Sequence, residues 1–158
     1  VITRFANIYG PGQLNFSALI PDAIRSALEY STFHPRGDGS QERDFIYVED
    51  VVELYLSMAE ALSLNPKKYM GEVFNAGTNR VHTVQSVIEK VYNLLDNKVA
   101  LEKIKKNMVG KKTVGEIECQ YMDYEKVNKF FKWEPKHSFD DGLLKTIKWF
   151  TGYLKKDL

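Results

Sequence analysis

The sequence predicts an α/β fold in which short buried strands alternate with amphipathic helices. Runs of β-branched and aromatic residues open the chain and recur near residues 45–48 and 72–75, as in buried strands. Between these runs, apolar residues recur at helical spacing, most clearly in the stretch 49–63. The chain has 158 residues, of which 44% are hydrophobic and 27% charged, which is ordinary for one globular domain. We therefore expect a single domain over residues 1–158.

The first half of the chain is predicted to hold three strands and two helices. The first helix places Ile24 and Leu28 on one face and tolerates Pro21 in its first turn. Asp50 is the expected cap of the second helix. In order, we expect a strand at 1–5, a loop at 7–17, a helix at about 17–30, a short strand at 31–36, a strand at 45–48 and a helix at 49–63.

The second half is predicted to hold two strands and three helices. Thr83 and Ser138 are the expected caps of two of these helices. Residues 98–112 are rich in lysine and show little apolar pattern, which indicates a solvated loop; a phosphate-binding patch is the alternative. In order, we expect a strand at 72–75, a helix at 84–95, the lysine-rich loop, a strand at 118–122, a helix at 124–131 and a last helix from Ser138 to Leu154.

The bulk composition argues against several classes of partner. The formal net charge is +1, so no global field favours nucleic acid or a membrane surface. No apolar stretch has the length of a membrane span, and no signal peptide opens the sequence. Cys119 is the single cysteine, and its neighbours Ile117 and Tyr121 predict a buried strand thiol rather than a nucleophile. These features predict a cytoplasmic protein.

Several catalytic motifs are absent from the sequence. It contains no Gly-x-Gly-x-x-Gly dinucleotide fingerprint, and no tyrosine is followed by lysine four positions later. His34, His82 and His137 are scattered, so we expect no zinc site. Taken without any family, the sequence is that of an α/β domain whose role its motifs do not reveal.

Residues 36–50 carry the most specific signal, Arg-Gly-Asp-Gly-Ser-Gln-Glu-Arg-Asp-Phe-Ile-Tyr-Val-Glu-Asp. A glycine-bracketed turn places Arg43 at the edge of a strand, where the rigid fork of guanidinium donors suits a diphosphate. The alternative is a surface turn with a local ion pair between Arg43 and Asp44. The chain also begins within a predicted strand, so we expect it to be part of a longer protein.

Together with Asn-Ile-Tyr-Gly-Pro-Gly at 7–12 and Glu-Val-Phe-Asn-Ala-Gly at 72–77, this signature resembles the extended short-chain dehydrogenases of the NAD-dependent epimerase/dehydratase family. The resemblance is to their C-terminal part and is closest to the CDP-glucose 4,6-dehydratases. Thr113 and Glu116 stand where TDP-glucose dehydratases carry an arginine and a histidine, which argues against that subgroup. The resemblance implies a C-terminal substrate-binding lobe plus the last strands of a Rossmann-like doubly wound parallel sheet, without the N-terminal NAD-binding half.

The same resemblance implies a function for the complete parent enzyme. Its cofactor would be NAD, held mostly by the N-terminal half, and its partner an NDP-sugar substrate. This chain would supply the binding site for the sugar nucleotide. It would be inactive alone, because the catalytic tyrosine and lysine lie in the N-terminal half of such enzymes. The parent is expected to be a homo-oligomer, a dimer or tetramer. Two alternatives stay open: part of a nucleotide-sugar 4-epimerase, or a non-catalytic nucleotide-binding module.

The resemblance also assigns site residues. Arg43 matches the arginine on the substrate diphosphate, and Asn7 matches an asparagine near the sugar phosphate and the nicotinamide. Phe5 lies where the strand passes the nicotinamide, so Phe5 and Asn7 are the expected cofactor contacts. The expected substrate contacts are Asn7, Asn15, Leu19, His34, Arg36, Arg43, Asn75 and Glu116.

Most of these assignments have a structural alternative. Asn7 would serve as a turn asparagine, and Phe5 as a plain core residue. Leu19 would be an ordinary apolar helix residue, while His34 and Arg36 would lie on a surface strand edge. Asn75 would be a buried amide that ties two loops together.

Overall fold

The computed structural model of the chain describes residues 1–110 and 115–155. The strands in these residues are β1 (Ile2–Phe5), β2 (Asn7–Tyr9), β3 (Glu42–Tyr47), β4 (Val73–Ala76), β5 (Val81–Thr83) and β6 (Cys119–Gln120). The helices are α1 (Leu19–Ala27), α2 (Val48–Leu64), α3 (Pro66–Tyr69), α4 (Val84–Leu94), α5 (Lys98–Met108), α6 (Glu125–Phe131) and α7 (Phe139–Leu154). This alternation of strands and helices confirms the predicted α/β fold class.

The strands form two small sheets. Strand β1 pairs in parallel with β4, from Ile2 opposite Val73 to Phe5 opposite Ala76. Strand β3 organises the other sheet: it is parallel to β2 and β6 and antiparallel to β5. Parallel pairing predominates among the described strands, as expected for an α/β layer covered by helices.

Strand β3 contributes to two hydrophobic cores. Phe45 and Tyr47 pack into the larger core, which is formed with helices α1, α4, α5 and α7. Ile46, between them, packs into a second core with α2, β4 and α6. This division follows from strand geometry, because successive side chains point to opposite faces. Residues 43 and 45 therefore share one face of β3, and residues 44 and 46 share the other.

Two predicted helix caps are confirmed. The backbone N–H of Ser86 donates to the Thr83 hydroxyl at 3.0 Å, at the start of α4. The backbone N–H of Asp141 donates to the Ser138 hydroxyl at 3.1 Å, at the start of α7. Each bond satisfies one of the N–H groups that the first turn of a helix leaves without a partner.

The prediction that Asp50 caps α2 is wrong. Asp50 lies within the first turn of that helix, and its side chain is fully buried. Its carboxylate accepts hydrogen bonds from the backbone N–H of Lys136 at 3.1 Å and of His137 at 3.3 Å. The side chain therefore fastens the loop before α7 to α2, because a buried carboxylate requires donors and this loop supplies them.

The lysine-rich stretch is mainly a helix, not a loop, because α5 spans Lys98–Met108. Leu101, Ile104 and Met108 are buried on one face of α5, and the lysines between them obscured that stripe in the sequence. The Asn97 side chain caps the helix by accepting from the backbone N–H of Ala100 at 3.2 Å. Residues 111 and 112 of the predicted loop lie outside the described residues.

The loop predicted at 7–17 and the strand predicted at 31–36 both need correction. The loop opens with β2, whose Asn7 and Tyr9 pair with β3. No strand forms within residues 31–36 of the described chain. One reason is Pro35, which has no N–H to donate to a ladder.

The strand predicted at 118–122 shortens to β6, and Cys119 within it is exposed rather than buried. Strand β6 has only two residues, pairs with β3, and both of its residues are exposed. Ile117 and Tyr121 are likewise 60% and 59% exposed. The apolar neighbours of Cys119 were therefore a misleading signal for burial.

Replacing Gly142 by alanine is expected to destabilise the fold by about 1–3 kcal/mol, as overpacking of a core does. A Cβ atom at this position of α7 would meet the Tyr9 hydroxyl and lie 2.8 Å from Cδ2 of Tyr47. The melting temperature followed by circular dichroism should fall. The matched control is Gly152→Ala in the same helix, where a Cβ meets open space and alanine should stabilise. A rise for both variants would contradict the expected clash.

Candidate functional site

A cavity of about 530 Å³ opens on the face of β3 that carries Arg43, between α1, the 33–41 loop and α4. This volume is within the range of small-molecule sites. Six of the residues predicted from the sequence line it: Asn7, Leu19, His34, Arg36, Arg43 and Glu116. The fold thus brings together residues that are up to 109 positions apart in the chain.

Other lining residues were not found from the sequence. Ile88 and Met108 are buried apolar residues on the cavity wall, and Gln13 and Gln41 add amide groups. Met108 belongs to α5, so its place would have followed from the helical spacing of the apolar residues in that segment. The two glutamines carried no comparable signal.

Arg43 projects from β3 and makes hydrogen bonds through one terminal nitrogen only. Its Nη1 donates to the carbonyl oxygen of Glu42 at 2.9 Å and of Ile117 at 2.8 Å, with Glu118 O farther away at 3.5 Å. Its Nε and Nη2 donate to no group among the described residues. Two nitrogens of the guanidinium, with three N–H groups between them, therefore remain for a ligand.

The local ion pair between Arg43 and Asp44 is not formed. The Asp44 carboxylate is fully buried on the opposite side of β3. It accepts from the backbone N–H groups of Thr78 at 2.9 Å, of Asn79 at 3.3 Å and of Met122 at 3.3 Å, and from the Thr78 hydroxyl. Asp44 thus joins the loop after β4 to the segment after β6, and it does not neutralise Arg43.

Asn7 lies at the cavity where β1 gives way to β2. Its side-chain Nδ2 donates to the backbone carbonyl of Asp44 at 2.9 Å, which ties β2 to β3. Its Oδ1 accepts from no group among the described residues. The side chain therefore makes a structural bond between two strands, which is not the turn cap considered as its alternative, and it keeps an acceptor for a ligand.

Three predicted site residues do not line the cavity. Asn15 stabilises its own turn, because its side chain accepts from the backbone N–H of Ser17 at 3.1 Å. Asn75 lies on β4 and is exposed, so it is not the buried amide considered as its alternative. Phe5 packs against the second core with its ring 5.4 Å from that of Tyr55, as a core residue would.

A second cleft of about 420 Å³ has Phe139 in its wall. It is lined by Arg80, His82 and Phe139 among others, and the rings of His82 and Phe139 stack with centroids 4.2 Å apart. Burial lowers the pKa of His82, and the positive charge of Lys90 lowers it further against the opposing effects of Asp140 and Asp44. The neutral imidazole is therefore the form that the fold favours.

His82 should make the protein less stable in mild acid. Because its pKa is lower in the folded chain, the unfolded chain binds the proton more readily once the pH falls below about 6.5. The stability is present above that pH and is lost as the pH falls through the folded value. His82→Gln should flatten this part of the stability profile measured by urea unfolding between pH 7 and pH 4. A variant with the unchanged slope would contradict the assignment.

Two kinds of feature are absent from residues 1–110 and 115–155. No group of three or more histidine, cysteine, aspartate or glutamate side chains is arranged to hold a metal ion. No helix in the same ranges combines the length and apolar character needed to cross a bilayer.

Parts of known proteins are similar in sequence to this chain. The model of the NAD dependent epimerase/dehydratase family matches residues 1–77. The chain is 30% identical over 151 residues to a UDP-N-acetyl-alpha-D-glucosaminuronate decarboxylase of Bacillus cytotoxicus and 30% identical over 158 residues to dTDP-glucose 4,6-dehydratase 1 of Escherichia coli. These alignments cover 94% and 98% of this chain but 45% and 42% of the relatives. The chain thus spans less than half the length of these relatives.

Two solved enzyme structures superpose on most of this chain. A UDP-glucose 4-epimerase of Thermotoga maritima with UDP-glucose superposes with a TM-score of 0.77 at 28% identity, over 96% of this chain and 46% of that one. A dTDP-glucose 4,6-dehydratase of Bacillus anthracis in complex with NAD superposes with a TM-score of 0.75 at 31% identity, over 97% and 44%. The described fold therefore matches part of the Rossmann-like fold of these enzymes, as the sequence signature implied.

Proposed function

We propose that this chain is the sugar-nucleotide-binding part of an NAD-dependent nucleotide-sugar 4,6-dehydratase, with residues 1–158 forming one substrate-binding domain. The observation that carries the proposal is the cavity beside β3, where two guanidinium nitrogens of Arg43, Nε and Nη2, donate to no group among the described residues. A planar guanidinium with adjacent free donors is the group best suited to grip two oxygens of a diphosphate.

The lining of the cavity supports a nucleoside diphosphate. Arg36 and Arg43 bring positive charge, while Asp22, one of the two acidic residues on the wall, is paired with Arg25 at 3.3 Å. Glu116, the other acid, accepts from no group among the described residues. The buried apolar wall formed by residues such as Ile88 suits the less polar faces of a base or sugar.

We place NAD in the complete parent enzyme, with Phe5 and Asn7 as this chain's contacts to the nicotinamide. Asn7 fits this role, because it follows β1 at the carboxyl end, where α/β folds bind ligands, and its Oδ1 is unused. Phe5 ends the same strand. Bound NAD would supply the hydride chemistry, and the residues of this chain would hold the substrate in position beside the nicotinamide. Asn15 and Asn75, which lie outside the cavity, would reach substrate only in that larger enzyme.

For the substrate we propose a CDP-hexose, CDP-glucose in particular, on the basis of the segments 7–15 and 116–123. The parent would be a cytoplasmic dimer or tetramer. A 4-epimerase is the second candidate, which the structural likeness to a UDP-glucose 4-epimerase favours. Assaying the product of the complete reading frame for a 4-keto-6-deoxy sugar or for a 4-epimer would decide between the two activities.

Calorimetric titration of the 158-residue chain tests the binding proposal. CDP-glucose should bind more tightly than UDP-glucose and dTDP-glucose. Glucose 1-phosphate, which lacks the diphosphate, should bind at least about tenfold more weakly. NAD should not bind tightly and the chain should show no turnover, because the glycine fingerprint and the tyrosine–lysine pair are absent from its sequence.

The possible failures have different meanings. Absence of binding for all three sugar nucleotides would contradict the proposed function itself. Tighter binding of UDP-glucose or dTDP-glucose would contradict the CDP assignment alone. Turnover by a preparation of verified mass would contradict the expected inactivity.

A further inference from the structure

Residues 63–71 lie between α2 and β4 and form a segment that projects from the fold. All of them are exposed except Tyr69, which is buried. The ring of Tyr69 stacks on that of Phe131 in α6, with the ring centroids 5.4 Å apart. One side chain therefore anchors the segment, and the others face solvent.

The main chain holds the 63–71 segment in one conformation. The backbone N–H of Lys68 donates to the carbonyl of Asn65 at 3.2 Å, and that of Met70 donates to the carbonyl of Pro66 at 3.0 Å. Gly71 then turns the chain towards β4 with a φ of +81°, a value that favours glycine. A segment that is ordered before it binds loses less conformational entropy on binding.

Two large apolar side chains, Leu64 and Met70, stand in solvent on this segment. They are 78% and 74% exposed, and neither is among the described members of the two hydrophobic cores. A single exposed apolar residue is ordinary on a protein surface, but two on one projecting segment beside cations are typical of surfaces that enter lipid headgroups. The pair therefore has no packing role in the described fold.

Four lysines lie in or beside the segment. They are Lys67 and Lys68 within it, and Lys129 and Lys132 on and directly after α6, the helix that anchors Tyr69. None of the four forms an ion pair with a carboxylate in the part of the chain that the structure describes, whereas Lys126 of the same helix pairs with Glu72 at 2.7 Å. A chain with a net charge of only +1 thus concentrates four unneutralised cations at this place.

The size of this surface favours a lipid bilayer over a folded protein partner. A stable protein interface buries about 800 Å² on each side around a packed apolar core. The 63–71 segment offers only two large apolar side chains, which is too few for such a core. A bilayer with anionic headgroups requires less, because cations bind at the level of the headgroups while a few apolar side chains enter below them.

We propose that the 63–71 segment, together with Lys129 and Lys132, binds the surface of a membrane that contains anionic lipid. Leu64 and Met70 enter the headgroup layer, and the lysines contact lipid phosphates. The binding is peripheral and reversible, because a few cations and two apolar side chains bind far less strongly than a spanning helix. This inference goes beyond the proposed function and does not depend on it.

The orientation of the strands leaves the ligand cavity accessible in the membrane-bound chain. The segment leads into the amino end of β4, and β1 runs parallel to β4. Asn7, on the cavity wall, follows the carboxyl end of β1. The lipid contact and the cavity are therefore at opposite ends of this pair of strands, so lipid binding and sugar-nucleotide binding should not compete.

Co-sedimentation with lipid vesicles tests the proposal. The 158-residue chain should bind vesicles of phosphatidylglycerol mixed with phosphatidylcholine, should not bind phosphatidylcholine alone, and should be released by about 0.5 M sodium chloride. Lys67→Gln/Lys68→Gln should lower the partition coefficient about twenty-fivefold, which is about fivefold for each lysine. Lys103→Gln/Lys148→Gln removes two exposed lysines from α5 and α7, and this charge-matched control should change the coefficient less than about threefold.

Met70→Ser tests the apolar contact separately. It should lower the partition coefficient about tenfold, because a serine side chain gains little by leaving water. Soluble polyglutamate, which offers carboxylates without a bilayer, tests for an acidic protein partner and should bind more weakly than the vesicles. All the substituted side chains are exposed, so circular dichroism should show the native fold for every variant.

The proposal is overturned if the unchanged chain does not bind the phosphatidylglycerol vesicles. Equal losses for the two double-lysine variants would show a general charge effect, and an unchanged partition coefficient for Met70→Ser would show that no apolar side chain enters the bilayer; either result overturns it as well. Binding of polyglutamate that is tighter than that of vesicles, and that is lost in Lys67→Gln/Lys68→Gln, would identify an acidic protein as the partner in place of lipid.

Discussion

Asp44→Ala is expected to lower the free energy of unfolding by roughly 3 kcal/mol or more. The substitution removes a fully buried carboxylate that accepts from the backbone N–H groups of Thr78, Asn79 and Met122. Each donor left without an acceptor away from water costs about 1–3 kcal/mol. Urea unfolding followed by tryptophan fluorescence measures the loss.

Two asparagine variants sharpen this test. Asp44→Asn keeps the shape of the side chain and one carbonyl oxygen, but its amide group faces N–H donors that need an acceptor. It should therefore lower the free energy of unfolding measurably, but by less than Asp44→Ala does. Asp96→Asn removes a charge from an exposed position where asparagine tolerates the left-handed backbone, and it should change stability little. Similar stability for all three variants would show that water, and not the Asp44 carboxylate, accepts hydrogen bonds from the backbone N–H groups of these loops.

Arg43→Ala is expected to weaken sugar-nucleotide binding about ten- to a hundredfold, the effect of losing a charge-assisted contact worth about 1.5–3 kcal/mol. Arg43→Lys should recover only part of the affinity, because an ammonium keeps the charge and loses the fork. Calorimetry with the preferred NDP-sugar gives the affinities. Arg80→Ala is the control, since Arg80 lines the second cleft and not this cavity.

Melting temperatures of the same variants distinguish ligand binding by Arg43 from a purely structural role. Arg43 also bonds the carbonyls of Glu42 and Ile117, so the alanine variant should lose some thermal stability. If the melting temperature of Arg43→Ala falls while its affinity for the sugar nucleotide stays unchanged, Arg43 only stabilises the packing of β6 against β3. The proposed contact with the diphosphate would then be wrong.

The sequence predicted the elements whose signals are local. Thr83 and Ser138 were recognisable as caps from their own neighbourhood, and the apolar spacing of 49–63 identified α2. The error at α5 arose because its lysines outnumber the apolar residues that the core buries, so a tertiary effect overrode a polar composition. The exposure of Cys119 likewise depends on the tertiary surroundings of β6, which its neighbours in the sequence do not indicate.

The candidate site was predictable only in part for the same reason. Arg43 stood out because glycines and a strand flank it, and the resemblance supplied its expected partner. No local pattern indicated that Asp44, its neighbour, would satisfy loops near residues 78 and 122 instead of pairing with it. The carbonyl of Ile117 as a partner of Arg43 depends on contacts 74 positions apart.

Arg43 and Asp44 lie on opposite faces of β3, and this alternation also favours one register of β3 with the neighbouring strands. A slip of one position against β2 and β5 would turn the Arg43 guanidinium into the interior and the Asp44 carboxylate out to the cavity. The misaligned sheet would then bury a cation among N–H donors, which repel it and offer no acceptor. Competing alignments are thus penalised by the very residue proposed to hold the ligand, so Arg43 would discriminate between correctly and incorrectly folded chains before any ligand is present.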